Sequence, residues 1–267
     1  MSRIAITGSS GAIGGFLRPR LRAAGHRLVL VDSAEPDELA PGEEAVTADI
    51  RELDALAAAF AGADLVVHLA GHAQEREWPD ILAVNIDGTR AVCEAARRAG
   101  VTRLLLASSV HAAGFLPTHP AVVGAPAPRP DTYYGVSKAA LEALGSLYAD
   151  RFGMTVISAR IMHATTEPQA AYDLGGWLSP DDATRLVLAA LTTPNAGHHV
   201  VWGVSRNTRR VVDLGPGAAI GFEPVDDAEH WADTLGGLPT PATADRLGGD
   251  FTLASHPLGE DWRQLDL

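Results

Sequence analysis

The run Thr7-Gly8-Ser9-Ser10-Gly11-Ala12-Ile13-Gly14 constrains the fold more than any other stretch of the chain, because an apolar segment, Arg3 to Thr7, runs into it and a helical one, Ile13 to Ala24, runs out. A strand that turns on glycine into a helix points unpaired N–H groups and the positive end of the helix dipole at whatever lies in the turn. Gly8 suits the tight turn, Gly11 lets backbone approach a pyrophosphate, and Gly14 lets the helix pack closely on the strand. Gly8, Gly11, Ala12, Ile13 and Gly14 are therefore the candidate dinucleotide-binding loop.

The rest of the chain repeats that alternation. Arg27 to Asp32, Ala45 to Asp49, Leu65 to Ala70, Arg103 to Ser108 and Thr155 to Arg160 are short continuous apolar runs, the pattern of buried parallel strands. Between them Glu52 to Phe60, Ile81 to Ala99 and Tyr134 to Phe152 carry apolar residues at helical spacing. The series predicts an α/β fold, a Rossmann-type doubly wound parallel sheet over residues 1–160, with residues 161–267 forming a small C-terminal substrate-binding lobe interleaved with it in one compact unit. Gly114 to Asp131, with five prolines, predicts a long irregular loop over the substrate end. Ser179-Pro180-Asp181-Asp182 opens a further helix, with Ser as N-cap and Pro at the first helical position, and His198 to Val204 reads as a last strand.

Composition narrows the function classes. The net charge of −12 disfavours a nucleic-acid partner, which needs a concentrated positive surface. A single cysteine, Cys93, forms no intramolecular disulfide and builds no multi-cysteine metal site, and within its helical run it reads as a buried thiol. No apolar run nears the ~20 residues of a membrane span, and the first strand starts at Arg3, so the expectation is a cytoplasmic chain without signal peptide or membrane partner. Of the 21 basic residues 20 are arginine, leaving Lys138 as the one lysine. The two types interchange on most surfaces, though not where a compact ammonium on a flexible stem is required.

Lys138 stands four residues after Tyr134, one helical turn on the same face. A free phenol titrates near ~10, and an ammonium one turn away is expected to stabilise the phenolate and bring it toward the working range of a general base. Ser108 and Ser109 end the fifth strand at the carboxyl edge where open α/β sheets bind ligands. Ser109 is the expected partner of the oxygen that changes charge, and Ser108 a backbone or cofactor contact. Asp32 ends the second strand at the offset where an acid takes adenosine ribose hydroxyls, and with no Arg or Lys from Ser33 to Ile50 to meet a 2′-phosphate the expected cofactor is NAD. Asp49 and Ile50 lie where an acid could reach the adenine amino group, with a simple helix cap as the alternative. His68, His72, His111 and His163 fall at strand ends, without the spacing that makes metal ligation specific. His68 reads as a strand-end residue satisfied by backbone, and Trp177 and Trp202 are equally readable as pocket wall or as core.

These residues resemble the extended branch of the short-chain dehydrogenase/reductases, in the Gly8 loop, Asp32, Leu69-Ala70-Gly71, Asn85, Ser109, Tyr134 and Lys138. The resemblance implies Tyr134 as acid/base, Lys138 as its pKa modifier and ribose ligand, Ser109 on the substrate oxygen, Asn85 holding the central helix and its water chain, and Leu69, Ala70, Gly71 and Ile161 beside the cofactor. Ser108 to His111, Gly114-Phe115, Trp177 to Asp182 and Val200 to Gly203 are similar to uronate dehydrogenases, which oxidise the anomeric carbon of glucuronate or galacturonate to a lactone with NAD. That similarity implies Ala73, Ser109, Val110, His111, His163 and Tyr172 around a small-molecule substrate. The chain departs from the pattern there: Ala164 to Leu178 holds no Arg or Lys to clamp a sugar carboxylate, Tyr172 stands where that Arg is expected, Val110 replaces an Asn, and Ala73 and His163 replace small hydroxyl residues. An epimerase or dehydratase and a non-catalytic dinucleotide sensor are the competing readings, and a homo-oligomer is expected by analogy with the fold.

Overall fold

The computed structural model describes residues 1–36, 38–235 and 245–260; the end of the expected lobe, 236–244 and 261–267, lies outside them. Seven parallel strands, β1 (Arg3–Thr7), β2 (Arg27–Asp32), β3 (Glu43–Thr47), β4 (Leu65–His68), β5 (Arg103–Ser109), β6 (Thr155–Ile161) and β9 (Gly197–Gly203), form one sheet in the order β3-β2-β1-β4-β5-β6-β9. The strands β7 (His163–Ala164) and β8 (Trp177–Leu178) pair in a ribbon of their own, with the short helix α6 (Asp173–Gly176) between them. Because β1 lies between β2 and β4, strand order reverses there, and the connections leaving the carboxyl ends of β1 and β4 diverge to open a crevice.

Alternation along β2 shows how both faces are covered. Val29 and Val31 join a core with Phe60, Val92, Leu141 and Met154 under α2 (Leu53–Phe60), α4 (Gly88–Arg98) and α5 (Tyr133–Phe152). Leu28 and Leu30 face the opposite core with Leu17, Leu186, Val187 and Val201, under α1 (Ala12–Ala23) and α7 (Pro180–Thr192). Residues beyond 160 thus complete the sheet and one helical layer. The capping predicted for α7 is present, with the Ser179 hydroxyl accepting the Asp182 N–H at 2.9 Å. Trp177 and Trp202, at 4% and 1% exposure, are core.

Two expectations shift. β3 begins at Glu43, whose carboxylate takes Arg18 and Arg22 and anchors this edge strand, so Asp49 falls in the following turn. The run expected as one helix from Ile81 begins instead with a π-helical stretch, Ile81–Asp87, preceded by the short turn α3 (Trp78–Asp80) and continued by α4. The wider spiral there re-aims Asn85, as such bulges do near functional sites. The proline-rich loop is pinned along its length: Val122 N–H donates to Val211 O at 2.8 Å, Trp202 Nε1–H to Gly124 O at 2.8 Å and Arg160 Nη1–H to Pro126 O at 2.9 Å.

Arg160 also reaches α5, where its fork meets both oxygens of Glu142 at 2.8 Å while Ser108 Oγ–H donates to the same carboxylate at 2.7 Å. Both members of this pair are almost wholly buried. Removing one partner strands the other's charge. Arg160→Ala is expected to cost about 3–5 kcal/mol in urea unfolding, and the paired apolar variant R160M/E142L, which removes both charges at once, should recover part of that loss.

Candidate active site

The crevice holds a cavity of ≈ 540 Å³ lined by Gly8, Gly11, Asp32, Asp49, Ile50 and Gly71 among others. Its floor exists because particular glycines have no Cβ. Gly8 sits at φ +71°, and a Cβ on it would stand 2.6 Å from Ala70 N; one on Gly14 would stand 2.4 Å from Ser9 O. Gly11 is the N-cap of α1 in extended conformation, with no side chain capping the helix, so the first-turn N–H groups at Ala12, Ile13 and Gly14 are left uncapped at the end of the helix that Gly11 brings to the cavity. A dinucleotide's pyrophosphate fits this cradle by charge and by clearance.

Asp32 lies at the rim, where Oδ2 accepts the Ser10 N–H at 2.9 Å and so ties the glycine turn to β2. Asp49 also lines the cavity, yet its carboxylate takes Arg51 N–H at 2.8 Å and the Arg51 guanidinium, which holds it below the usual carboxylate range. Asp49 thus closes the turn ahead of α2, whose N-cap is Glu52. Ile50 is buried against Gly88, where a Cβ would meet Ile50 Cδ1 at 2.6 Å. Leu69, Ala70 and Gly71 carry β4 into the cavity wall, with Gly71 at φ +141°. Ile161 ends β6, and Gly203 makes room for it.

Asn85 links wall to helix: Oδ1 accepts His72 N–H at 2.8 Å, and Nδ2 donates to His72 O and to Ser137 Oγ, each at 3.0 Å. His68 is held by the hydroxyls of Thr7 and Thr89 rather than by backbone, and burial drives it down to about 3, a neutral imidazole. Cys93 is buried, its thiol pushed up to about 12.

On α5, Tyr134 and Lys138 are both buried and face the end of β5. Lys138 Nζ–H donates to Ala107 O at 2.7 Å and lies 5.5 Å from the Tyr134 ring centre, and burial pulls the ammonium down to about 8. Burial pushes the Tyr134 phenol up to about 12, against a lowering hydrogen bond from Ser109, while Asp131 adds to the rise. The lowering contact is Ser109 rather than the expected Lys138, and desolvation of the phenolate outweighs it. Ser108, expected at backbone or cofactor, gives its hydroxyl to Glu142.

The expected substrate residues separate. Ser109 Oγ accepts the His111 N–H at 3.2 Å, and the His111 ring lies 5.7 Å from that of Tyr134, so these three meet. His163 and Tyr172 meet one another across 5.0 Å at the next strand end. Ala73 is exposed in the turn after β4. Val110 is a correction: its side chain is buried in a core cluster with Val122, Trp202 and Val204, since the 3-10 turn Val110–Ala113 rotates it inward and His111 outward.

Four residues had no signal in the chain's local pattern. Glu75, fully buried, accepts the N–H groups of Tyr133, Tyr134 and Gly259 at 3.2, 2.7 and 2.9 Å, a carboxyl group set on the N-terminus of α5. Asp131 holds His111 Nδ1 at 2.7 Å, in space left by Gly114 and Gly248. Phe251 stacks on His111 with ring centres 4.1 Å apart. Asp173 lies beneath His163 at 2.9 Å.

Comparison with known proteins adds the lineage. The NAD dependent epimerase/dehydratase family matches residues 4–172. A uronate dehydrogenase of Pseudomonas syringae pv. tomato is 38% identical over 97% of this chain and 96% of its own. An L-arabinose 1-dehydrogenase (NAD(P)(+)) of Haloferax volcanii is 36% identical over 85% of this chain and 98% of its own. The crystal structure of a uronate dehydrogenase from Agrobacterium tumefaciens, 34% identical and covering 98% of this chain and 99% of its own, superposes with a TM-score of 0.90. A mutant of that enzyme complexed with NAD gives 0.91 over 98% of this chain and all of its own, again at 34% identity.

The clearance at Gly14 is directly testable. Gly14→Ala would set a methyl 2.4 Å from Ser9 O and force the turn outward. The expected result is a loss of about tenfold or more in NAD affinity by fluorescence titration, with far-UV circular dichroism unchanged.

Proposed function

The chain belongs to the NAD dependent epimerase/dehydratase family, and from that premise we propose that it is an NAD-dependent dehydrogenase oxidising a hydroxyl-bearing carbon of a small sugar acid or sugar, the anomeric carbon of a uronate first among them. The observation that carries this reading is the meeting of Tyr134, Ser109 and Lys138 at the carboxyl end of β5, on a helix tied through Ser137 and Asn85 to His72 in the wall of the glycine-floored cavity. Bound in that cavity, NAD supplies the hydride acceptor. Ser109 orients the substrate oxygen by hydrogen bond, and Tyr134 takes the hydroxyl proton as the carbon gives up hydride. Lys138, fixed on Ala107 O one turn from the phenol, is the cofactor-ribose ligand in this reading. Asp32, with no basic residue from Ser33 to Ile50, favours NAD over its 2′-phosphorylated form.

A neutral aldose is the second reading, favoured by the absence of Arg and Lys from Ala164 to Leu178 and by the similarity to an arabinose dehydrogenase. In either case the product of anomeric oxidation is a lactone. Among the described residues no helix is long and apolar enough to cross a membrane; the same reading puts the enzyme in the cytoplasm, as a homo-oligomer acting on a small molecule.

NADH formation against glucuronate, galacturonate, galactose and arabinose tests the proposal, and silence across the panel in a protein that binds NAD would sink it. Tyr134→Phe is expected to lower kcat by about 10²–10⁴-fold while NAD still binds. Because Tyr134 sits high, at about 12, the base form grows with pH and kcat should climb from neutral toward alkaline conditions. Ser109→Ala removes the one lowering contact and should move that rise to higher pH.

A further inference from the structure

Between the cavity wall and α5 runs a short span, His72 to Glu75, that is clamped at both ends. At one end Asn85 takes the backbone of His72 twice, Oδ1 accepting its N–H and Nδ2 donating to its carbonyl. At the other, Glu75 turns a fully buried side chain onto the start of α5. Its Oε2 accepts the Tyr134 N–H at 2.7 Å and its Oε1 the Tyr133 N–H at 3.2 Å.

A helix leaves its first N–H groups without partners inside the helix, and the residue ahead of it ordinarily caps one of them. Thr132 does so here for the third, its Oγ1 accepting the Gly135 N–H at 3.0 Å. The first two belong to Glu75, from 58 and 59 residues earlier in the chain. A cap supplied from that distance does what a local cap does not: it fixes the start of the helix relative to another wall of the protein. The Tyr134 peptides are then held on both sides. Glu75 takes the N–H, and Ser137 Oγ–H donates to Tyr134 O at 2.6 Å while accepting Asn85 Nδ2–H, so both holds lead back to the same clamped span.

The carboxyl group has a third donor. Gly259, at φ +75°, gives its N–H to Oε1 at 2.9 Å, and a Cβ there would meet Tyr133 Cε2 at 3.1 Å, so the chain passes close against the first residue of α5. Gly259 lies in the segment 245–260, which is laid along the loop after β5: Gly248 N–H donates to Gly114 O and Leu247 N–H to Leu116 O, both at 2.9 Å, and Phe251 stacks on His111.

We propose that Glu75 is a positioning residue, its one carboxyl group fixing Tyr134 relative to the wall of the cofactor cavity and seating the segment 245–260 beside it. Because it acts on the proton step through Tyr134, the proposal rests on the dehydrogenase reading and adds a residue to it. Both oxygens are needed. In Glu75→Gln an NH2 replaces one of them and, whichever way the amide turns, faces an N–H of α5 that it cannot accept. The glycine floor, by contrast, is built by Gly8 and Gly14 against Ala70 and Ser9, away from this carboxyl.

The test measures kcat and KM with whichever of glucuronate, galacturonate, galactose and arabinose yields NADH. It compares the unaltered chain, E75Q and E75D, each alone and combined with Y134F, with thermal unfolding to establish that each variant folds. E75Q should lower kcat about 10²-fold and leave KM for NAD within about twofold, the signature of a displaced reacting group rather than a lost cofactor site. E75D keeps both acceptor oxygens on a shorter stem and should lose less. On the Y134F background E75Q should cost little more, since a residue that acts through Tyr134 has nothing left to position, whereas a general weakening would multiply the two losses. Unchanged kcat in folded E75Q, or losses that multiply, overturns the proposal. Should E75Q fail to fold, E75D and its Y134F double variant decide by the same two readings. Should no sugar yield NADH, the dehydrogenase reading fails on its own terms, and amide hydrogen exchange decides the tether: faster exchange in the Glu75 variant at 132–136 and 245–260 together upholds it, and exchange unchanged at either segment overturns it.

Discussion

The helix Tyr133–Phe152 is sunk into the protein with its polar side chains still on it, and the pairing this forces is what holds the site together. Ser137, Lys138 and Glu142 are all buried on that helix, and each is paired from elsewhere in the chain: Ser137 with Asn85 of the π-helical stretch, Lys138 with Ala107 O of β5, and Glu142 with Arg160 of β6 and Ser108 of β5. An unpaired polar group in such surroundings is expensive, so these bonds leave the helix one rotation about its axis. Glu75 closes its N-terminus, and Gly135 permits an approach to His111 O that a Cβ would bring to 2.4 Å. Tyr134 inherits its position from these contacts rather than from its own.

That same burial governs the proton chemistry. A phenol and an ammonium brought together out of water each resist ionisation, so Tyr134 rises and Lys138 falls, and proximity of opposite charge does not cancel the loss of solvent. A guanidinium would stay charged under those conditions and would bring a planar fork of five donors that a single carbonyl cannot fill. The solitary lysine in a chain of twenty arginines is then intelligible: the position needs a compact cation that one carbonyl can satisfy.

How much of this was legible follows the range of the interactions. The glycine turn, the alternation of strands and helices, the Ser179 cap and the Tyr134–Lys138 spacing are local, and all are present where the residues indicate. The β3 boundary moved because Glu43 answers to Arg18 and Arg22 on another element, and the π-helical start of the 81–98 run is set by what Asn85 must reach. Glu75, Asp131 and Phe251 act on partners distant in the chain or through space cleared by glycines such as Gly114 and Gly248, and nothing in their immediate neighbours marks them. Val110 looked like a wall residue by position, and a single 3-10 turn sends it into the core instead.

One arrangement recurs at the ends of adjacent strands, a histidine set on a buried loop carboxylate. His111 after β5 and His163 after β6 each present Nδ1 to a carboxylate with no exposed surface, Asp131 and Asp173. In each case the carboxylate comes from a loop or its edge, so the strand supplies position and the loop supplies charge. Such a unit tunes what the outward nitrogen offers without touching the sheet, because replacing a loop acid alters the imidazole's charge but no β-ladder bond. Tyr134 and Lys138 have no such freedom: their partners are β5 and the helix itself, and any change in them passes into the core.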